Sequence, residues 1–193
     1  MRIRAKIILV VLPLIITPLA IIALASVFTA RTGITRVATE FLQFKADELA
    51  TYAASQWALL EDNGLSGRAE FVEISRQSIA SFARSMVRSD SELILAVDRS
   101  GRLAMSTREV EVSPDELAAL AELAGRKAAG WQPSVRVGGV QRVGQAVPID
   151  SFGWHVLITQ ERDVFYRATN LILEQSVIVL AAAALVSVVL LLL

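Results

Sequence analysis

Four residues downstream of position 130 combine side-chain types suited to gripping a solute: Trp131, Arg136, Arg142 and Gln145. Guanidinium groups pair with carboxylates or phosphates in a fixed fork, an indole supplies an apolar wall, and a primary amide both donates and accepts. Together they predict a ligand-binding patch for a small polar or anionic molecule, although single arginines on a sheet edge are commonly just solvated. Catalytic constellations do not emerge. His155 is the only histidine, and beside Trp154 it reads as a hydrogen-bonded structural residue on the opposite strand face. Asp115-Glu116 is accounted for by helix capping, and Glu109-Val110-Glu111 by a solvated strand edge. Gly138-Gly139 is a turn and nothing resembles a phosphate loop. With no cysteine and a single histidine, neither a disulfide framework nor a metal cluster is expected, and no cofactor or enzymatic activity in this segment.

The elements that must hold these residues centre on a predicted β-hairpin over 140–161. Val143, Gln145 and Val147 alternate with smaller or polar partners, and Pro148 is expected to stop the first strand because it has no N–H to donate. Asp150, Ser151 and Gly153 form a turn. Trp154, Val156 and Ile158 then share one face of a second strand, expected deep in a sheet. A short connector over 161–170, with Val164 and Phe165 between Arg162 and Arg167, leads into an apolar stretch.

Composition supports one domain between two apolar ends. The 193 residues are 54% hydrophobic, with 19 basic against 19 acidic side chains, and no basic face of the kind nucleic acids need. Residues 7–30 carry no charge over 24 positions, enough to cross a bilayer, and Arg2, Arg4 and Lys6 before them keep residues 1–6 in the cytoplasm by the positive-inside rule. Pro13 and Pro18 suggest a bend in that helix. A cleaved signal peptide with Ala23-Leu24-Ala25 at its cleavage site is the rival reading, disfavoured because the apolar run continues through Val27 and Phe28. Residues 171–193 form a second span whose charge-free core, 177–193, covers about 26 Å at the helical rise, so the second span is expected to be cut short here.

Between the spans, 31–170 reads as one α+β domain. Over 31–60, Leu42, Ala46, Leu49, Ala53, Trp57 and Leu60 form one helical stripe, while Ile34, Val37, Phe41 and Phe44 form a second, displaced around the helix. The first suits the domain's own sheet and the second a coiled-coil homodimer seam; one broad core face is the alternative. A second helix is predicted over 68–88, with Val72, Ile79, Phe82 and Met86 facing inward. Strands follow over 93–97 and 102–107 around an Asp98-Arg99-Ser100-Gly101 turn. Ser113-Pro114-Asp115-Glu116 starts a third helix, expected to run to about Ala129 with Arg126 and Lys127 at its negative end. Trp131 opens a strand that turns at Gly138-Gly139.

At LILAVDRSGRLAMST and again at VQRVGQAVPIDSFGWHVLITQERDVF the chain resembles the Cache family, the extracytoplasmic PAS-like sensor domains of bacterial transmembrane receptors, in its single-module form. The resemblance implies a five-stranded antiparallel PAS-like sheet flanked by a long N-terminal helix. It also implies sensing of a small molecule outside the inner membrane and control of a cytoplasmic kinase, chemotaxis, cyclase or phosphatase module. The Arg-x-x-Trp-Tyr signature of amino-acid-binding members is absent, since Arg126 lies five residues before Trp131 and Gln132 follows it, so no amino-acid ligand is carried over. A non-sensing membrane scaffold is the alternative function.

Overall fold

The computed structural model describes residues 3–126 and 129–192, and the chain divides into two compact units, Val37–Phe165 and a second made of the segments before and after it. Helix α1 (Ile3–Asp62) runs uninterrupted through Pro13, Pro18 and Gly33 and belongs to both units. It is followed by α2 (Ala69–Met86), β1 (Glu92–Asp98), β2 (Leu103–Ser106), α3 (Pro114–Gly125), β3 (Gly130–Val137), β4 (Val140–Ile149), β5 (Trp154–Glu161) and α4 (Arg162–Leu192). The fold is α+β, with one open five-stranded sheet in the order β2-β1-β5-β4-β3, antiparallel throughout.

Period-two alternation along β5 sends its side chains to two different cores. Leu157 joins Leu93, Leu95 and Val97 of β1, Ala146 of β4, and Val135 and Val137 of β3 in a core closed by Leu120 of α3. On the other face, Ile94, Ala96, Val156 and Ile158 are buried under α1 and α2, which contribute Leu42, Ala46, Leu49, Ala53, Ile79 and Ala83. The inner stripe of α1 is therefore as its spacing predicts, with Trp57 edge-on to Phe152 at 5.2 Å. The outer stripe is open: Val37 is 67% exposed and Phe44 63%.

One buried ion pair fastens α1 to the sheet. Lys45 Nζ lies 2.8 Å from Glu92 Oε2 and donates to the Met86 carbonyl at 2.8 Å, and the same carboxylate oxygen accepts the Arg88 N–H at 2.8 Å. Neither side chain is more than a tenth exposed. Such a pair survives desolvation only when its remaining hydrogen-bonding capacity is met, as here.

Helix α3 is held by Glu116. Ser113 and Glu116 form the expected capping box, and the Glu116 carboxylate also accepts the N–H groups of Gly138 and Gly139 at 3.0 and 2.9 Å. These glycines, with φ of +62° and +73°, make the two-residue left-handed turn that joins β3 to β4. One carboxylate thus ties the start of α3 to a hairpin 22 residues away in sequence.

Three expectations are corrected. Helix α3 ends at Gly125, not near Ala129, because glycine is a poor helix former and the first one after the cap stops the helix; Lys127 lies outside the described residues. Strand β4 continues through Pro148 to Ile149: pairing with β3 has already ended at Ala146, so the proline sits where β4 is an edge on that side. The connector expected over 161–170 is not a separate segment, since Arg162 follows Glu161 directly as the first residue of α4.

Burial pushes the Glu116 carboxyl up, but the N–H groups of Gly139, Ser113 and Gly138 and the Ser113 hydroxyl outweigh it and hold the group below its ordinary 4.5. A carboxyl depressed by folding adds stability that is complete above its unfolded value and is lost as pH falls through the folded one. Glu116→Gln is therefore expected to destabilise Val37–Phe165 by about 1–3 kcal/mol at pH 7. The deficit should shrink below pH 4.5, measured by denaturant unfolding across pH. A deficit independent of pH would show that the carboxylate's charge does not hold the clamp.

Candidate functional site

The four residues singled out from sequence do not converge. Trp131 is half-buried at the start of β3, beside Gln145 in the ladder, and its ring centre lies 5.5 Å from that of Phe165 in the first turn of α4. Arg136 is exposed near the other end of β3. Its Nε and Nη2 donate to the side-chain oxygen of Gln141 at 3.1 and 3.0 Å, in the amide orientation that satisfies both groups. Arg142 points to the opposite face of the sheet, by its register one residue out of phase with Gln141 and Gln145. It is 3% exposed; its Nη1 donates to the Ser91 carbonyl at 3.1 Å and its Nη2 lies 3.5 Å from Glu161 Oε1. Burial lowers its pKa, Glu161 opposes that shift, and Arg108 adds to it. Trp131 and Arg142 thus both secure the place where β5 becomes α4.

A cavity of about 370 Å³ lies at the other end of β5, on the α3 side of the sheet. Its walls are the β1–β2 turn at Asp98–Gly101, the start of β5 at Gly153–His155, and the last turn of α3. The space exists because α3 presents Ala121, Ala124 and Gly125 there, while Leu120 fills the core beside it. Gly101 permits the closest approach of helix and turn: a Cβ on it would stand 2.8 Å from Ala121 Cβ, and its φ is +79°.

The polar groups around the cavity are mostly held by one another. Asp98 Oδ1 accepts the N–H groups of Ser100 and Arg102 at 2.8 and 3.0 Å and the Ser100 hydroxyl at 2.5 Å. The Ser100 hydroxyl bond lowers the Asp98 carboxyl most; burial resists, and the two N–H groups and Arg102 add to the fall, leaving it near 2. Arg99 bridges the two turns by donating to the Asp150 carbonyl at 3.1 Å. His155 is the exception: it is 4% exposed, and its Nε2 is buried without a hydrogen-bond partner. A buried imidazole nitrogen left unpaired costs free energy comparable to a lost hydrogen bond. Its sequence neighbours alone predict a structural histidine, and only its position among three converging elements distinguishes it. Burial pushes its pKa below 6.5, so at neutral pH the ring is uncharged and offers one donor and one acceptor.

Among the described residues no acid or nucleophile is hydrogen-bonded to the imidazole. Among the described residues no group of three or more His, Asp or Glu side chains could hold a metal ion.

Since the chain has one histidine, its imidazole signals need no assignment by mutation. In the full chain labelled at histidine, the ring is expected to titrate with a midpoint below 6.5, measured by NMR. Folding that depresses a histidine pKa makes stability fall as pH drops below the unfolded value and through the folded one. A midpoint at or above 6.5 would mean that the ring is solvated. No protein-family model, curated protein or solved structure matches this chain.

Proposed function

We propose that this chain is the sensing and transmembrane signalling module of a bacterial receptor, with a PAS-like domain outside the inner membrane that binds a small polar or anionic solute beneath α3. The observation that carries the reading is the direct passage of β5 into α4, an apolar helix, at Glu161–Arg162. Two helices, α1 and α4, are long and apolar enough to cross a membrane. Many of their apolar side chains are exposed, among them Leu14 at 72%, Phe28 at 66%, Ile178 at 60% and Val179 at 68%, as on a helix face that meets lipid. The sheet domain is thus framed by two such helices and is joined to each without a loop.

The likeness to the Cache family at the Asp98–Gly101 turn and at Gly153-Trp154 agrees with this reading, since both motifs border the cavity. The open stripe of Val37, Phe41 and Phe44 on α1 fits a homodimer seam between membrane-proximal helices. Signals of this kind need a ligand with unequal affinity for two states, and differences of about 1–3 kcal/mol serve most allosteric proteins.

Two experiments on the full chain in lipid nanodiscs and in cells test the proposal. Gly125 borders the cavity, and a Cβ on it meets nothing within 4 Å, so Gly125→Trp puts a large side chain at the mouth from a position with room for its first carbon. Among amino acids, dicarboxylates and polyols, at least one is expected to raise the melting temperature of the chain and to lose that effect in Gly125→Trp. A panel in which no solute has an effect that Gly125→Trp abolishes would refute binding under α3. In the second experiment, Ser66→Cys should react with an impermeant thiol reagent from outside the inner membrane. Val37→Cys, Phe41→Cys and Phe44→Cys should form disulfide-linked dimers more readily than Gln43→Cys. Labelling only after lysis would reverse the topology, and equal crosslinking at all four positions would remove the helical seam.

A further inference from the structure

On the face of the sheet opposite the α3 cavity, α2 and the edge strand β2 enclose a groove of about 600 Å³. Arg76 and Arg84 line it from α2, eight residues apart, with Ala80 midway between them, so the helix offers two guanidinium groups separated by a single methyl. Arg102 reaches it from the β1–β2 hairpin, and Trp154 forms its floor. Among the described residues no hydrogen bond or ion pair joins α2 to β2, so the two elements face each other across the groove with cations on both sides.

The acids present do not neutralise this charge. Glu73 is 3.7 Å from Arg76, and both side chains are well exposed, 57% and 39%, which makes the pair a weak one. Asp98 is occupied by its own turn and meets Arg102 at 3.3 Å. Arg84 has no hydrogen-bonding or ionic partner among the described residues. Arg76 keeps its place by donating to the Phe152 carbonyl at 3.2 Å, with its guanidinium carbon 5.8 Å from the Trp154 ring centre, and its buried Nε has no partner.

Three guanidinium groups against two committed carboxylates, in a groove of ligand size, leave a net demand for negative oxygen. We propose that this groove is a second binding site, specific for a small free oxyanion, a carboxylate or phosphate, which bridges Arg84 of α2 to Arg102 of the hairpin by charge-assisted hydrogen bonds. The bound anion supplies the link between α2 and β2 that the protein itself lacks. Because the site lies across the sheet from His155, it stands whether or not the α3 cavity binds a solute.

The test is calorimetry on the full chain in phosphatidylcholine nanodiscs, which present no net anionic headgroup. Citrate and inorganic phosphate are titrated separately at an ionic strength held constant with sodium chloride. At least one of them is expected to bind saturably at one site per chain. Arg84→Gln should weaken that binding about tenfold or more, as should Arg102→Gln, since each removes a charged donor to the anion. Glu73→Gln, which removes a competing carboxylate, should strengthen it, a direction that general damage to the fold would not produce. Gly125→Trp should leave it unchanged. Absence of saturable binding by both anions overturns the proposal, as does binding that Arg84→Gln and Arg102→Gln leave intact in chains that melt like the parent. Binding that Gly125→Trp abolishes also overturns it, by moving the anion to the other face.

Discussion

The central position of β5 constrains everything around it. A strand hydrogen-bonded on both sides, to β1 over Glu92–Asp98 and to β4 over Arg142–Ile149, cannot shift along its axis without breaking two ladders at once. It then becomes α4 with no intervening residue. Eight extended residues carry the chain about 26 Å from the cavity end of the sheet to the first turn of that helix. The strand is therefore a stiff rod with His155 at one end and Arg162 at the other, and the surrounding elements differ mainly in which end they hold.

The Arg162 end is the better fastened. The Ser91 carbonyl accepts the Glu161 N–H at 2.9 Å and Arg142 Nη1 at 3.1 Å, and Glu161 also meets Arg142. One residue further along β1, Glu92 takes Lys45 of α1. Trp131 packs on Phe165 from β3. Strands β1, β4 and β5 and helix α1 are thus gathered at one end of the sheet by buried polar contacts, and β3 by aromatic packing, with Arg142 Nε the buried atom left unpaired there. At the His155 end the contacts are looser: small side chains on α3, a turn bridged by Arg99, and one imidazole nitrogen with nothing to bond. Buried polar groups without partners are rare in native proteins because each costs the desolvation it cannot recover. Arg142 Nε at the other end is also buried without a partner, so that cost is borne at both ends of β5.

The two helical stripes, the capping box at Ser113–Glu116, the left-handed turn at Gly138-Gly139 and the depth of β5 were legible because each rests on local chemistry: spacing, a cap, a required positive φ, a run of β-branched residues. The site was not. Trp131, Arg136, Arg142 and Gln145 are near one another in sequence and have suitable side chains, but strand alternation puts Arg142 on the far face and strand length parts Arg136 from Trp131. Lys45 and Glu92 are 47 residues apart and pair only because α1 crosses the start of β1. The α3 cavity depends on Ala121, Ala124 and Gly125, which as a sequence look like ordinary helix filler; what counts is the volume they omit. Pro148 misled for a related reason, since whether a missing N–H matters depends on which neighbouring strand has already ended.

The two ends of α3 are held unequally. A solute under α3 touches three elements that meet only there: the β1–β2 turn, the β4–β5 turn and the end of α3. The start of α3 is anchored by Glu116 to the β3–β4 turn, so the helix is free to pivot at its Gly125 end more than at its Ser113 end. Drawing that free end toward His155 strains the two turns, and the strain cannot be relieved by stretching β5, whose ladders fix its length. At its other end the strand runs into α4 at Arg162 with no loop between them. Helix α1 is held differently: Lys45 fastens it to Glu92, on the neighbouring strand β1 and under the opposite face of the sheet. Helix α4 is thus the continuation of the central strand, whereas α1 is pinned beside the sheet through Lys45.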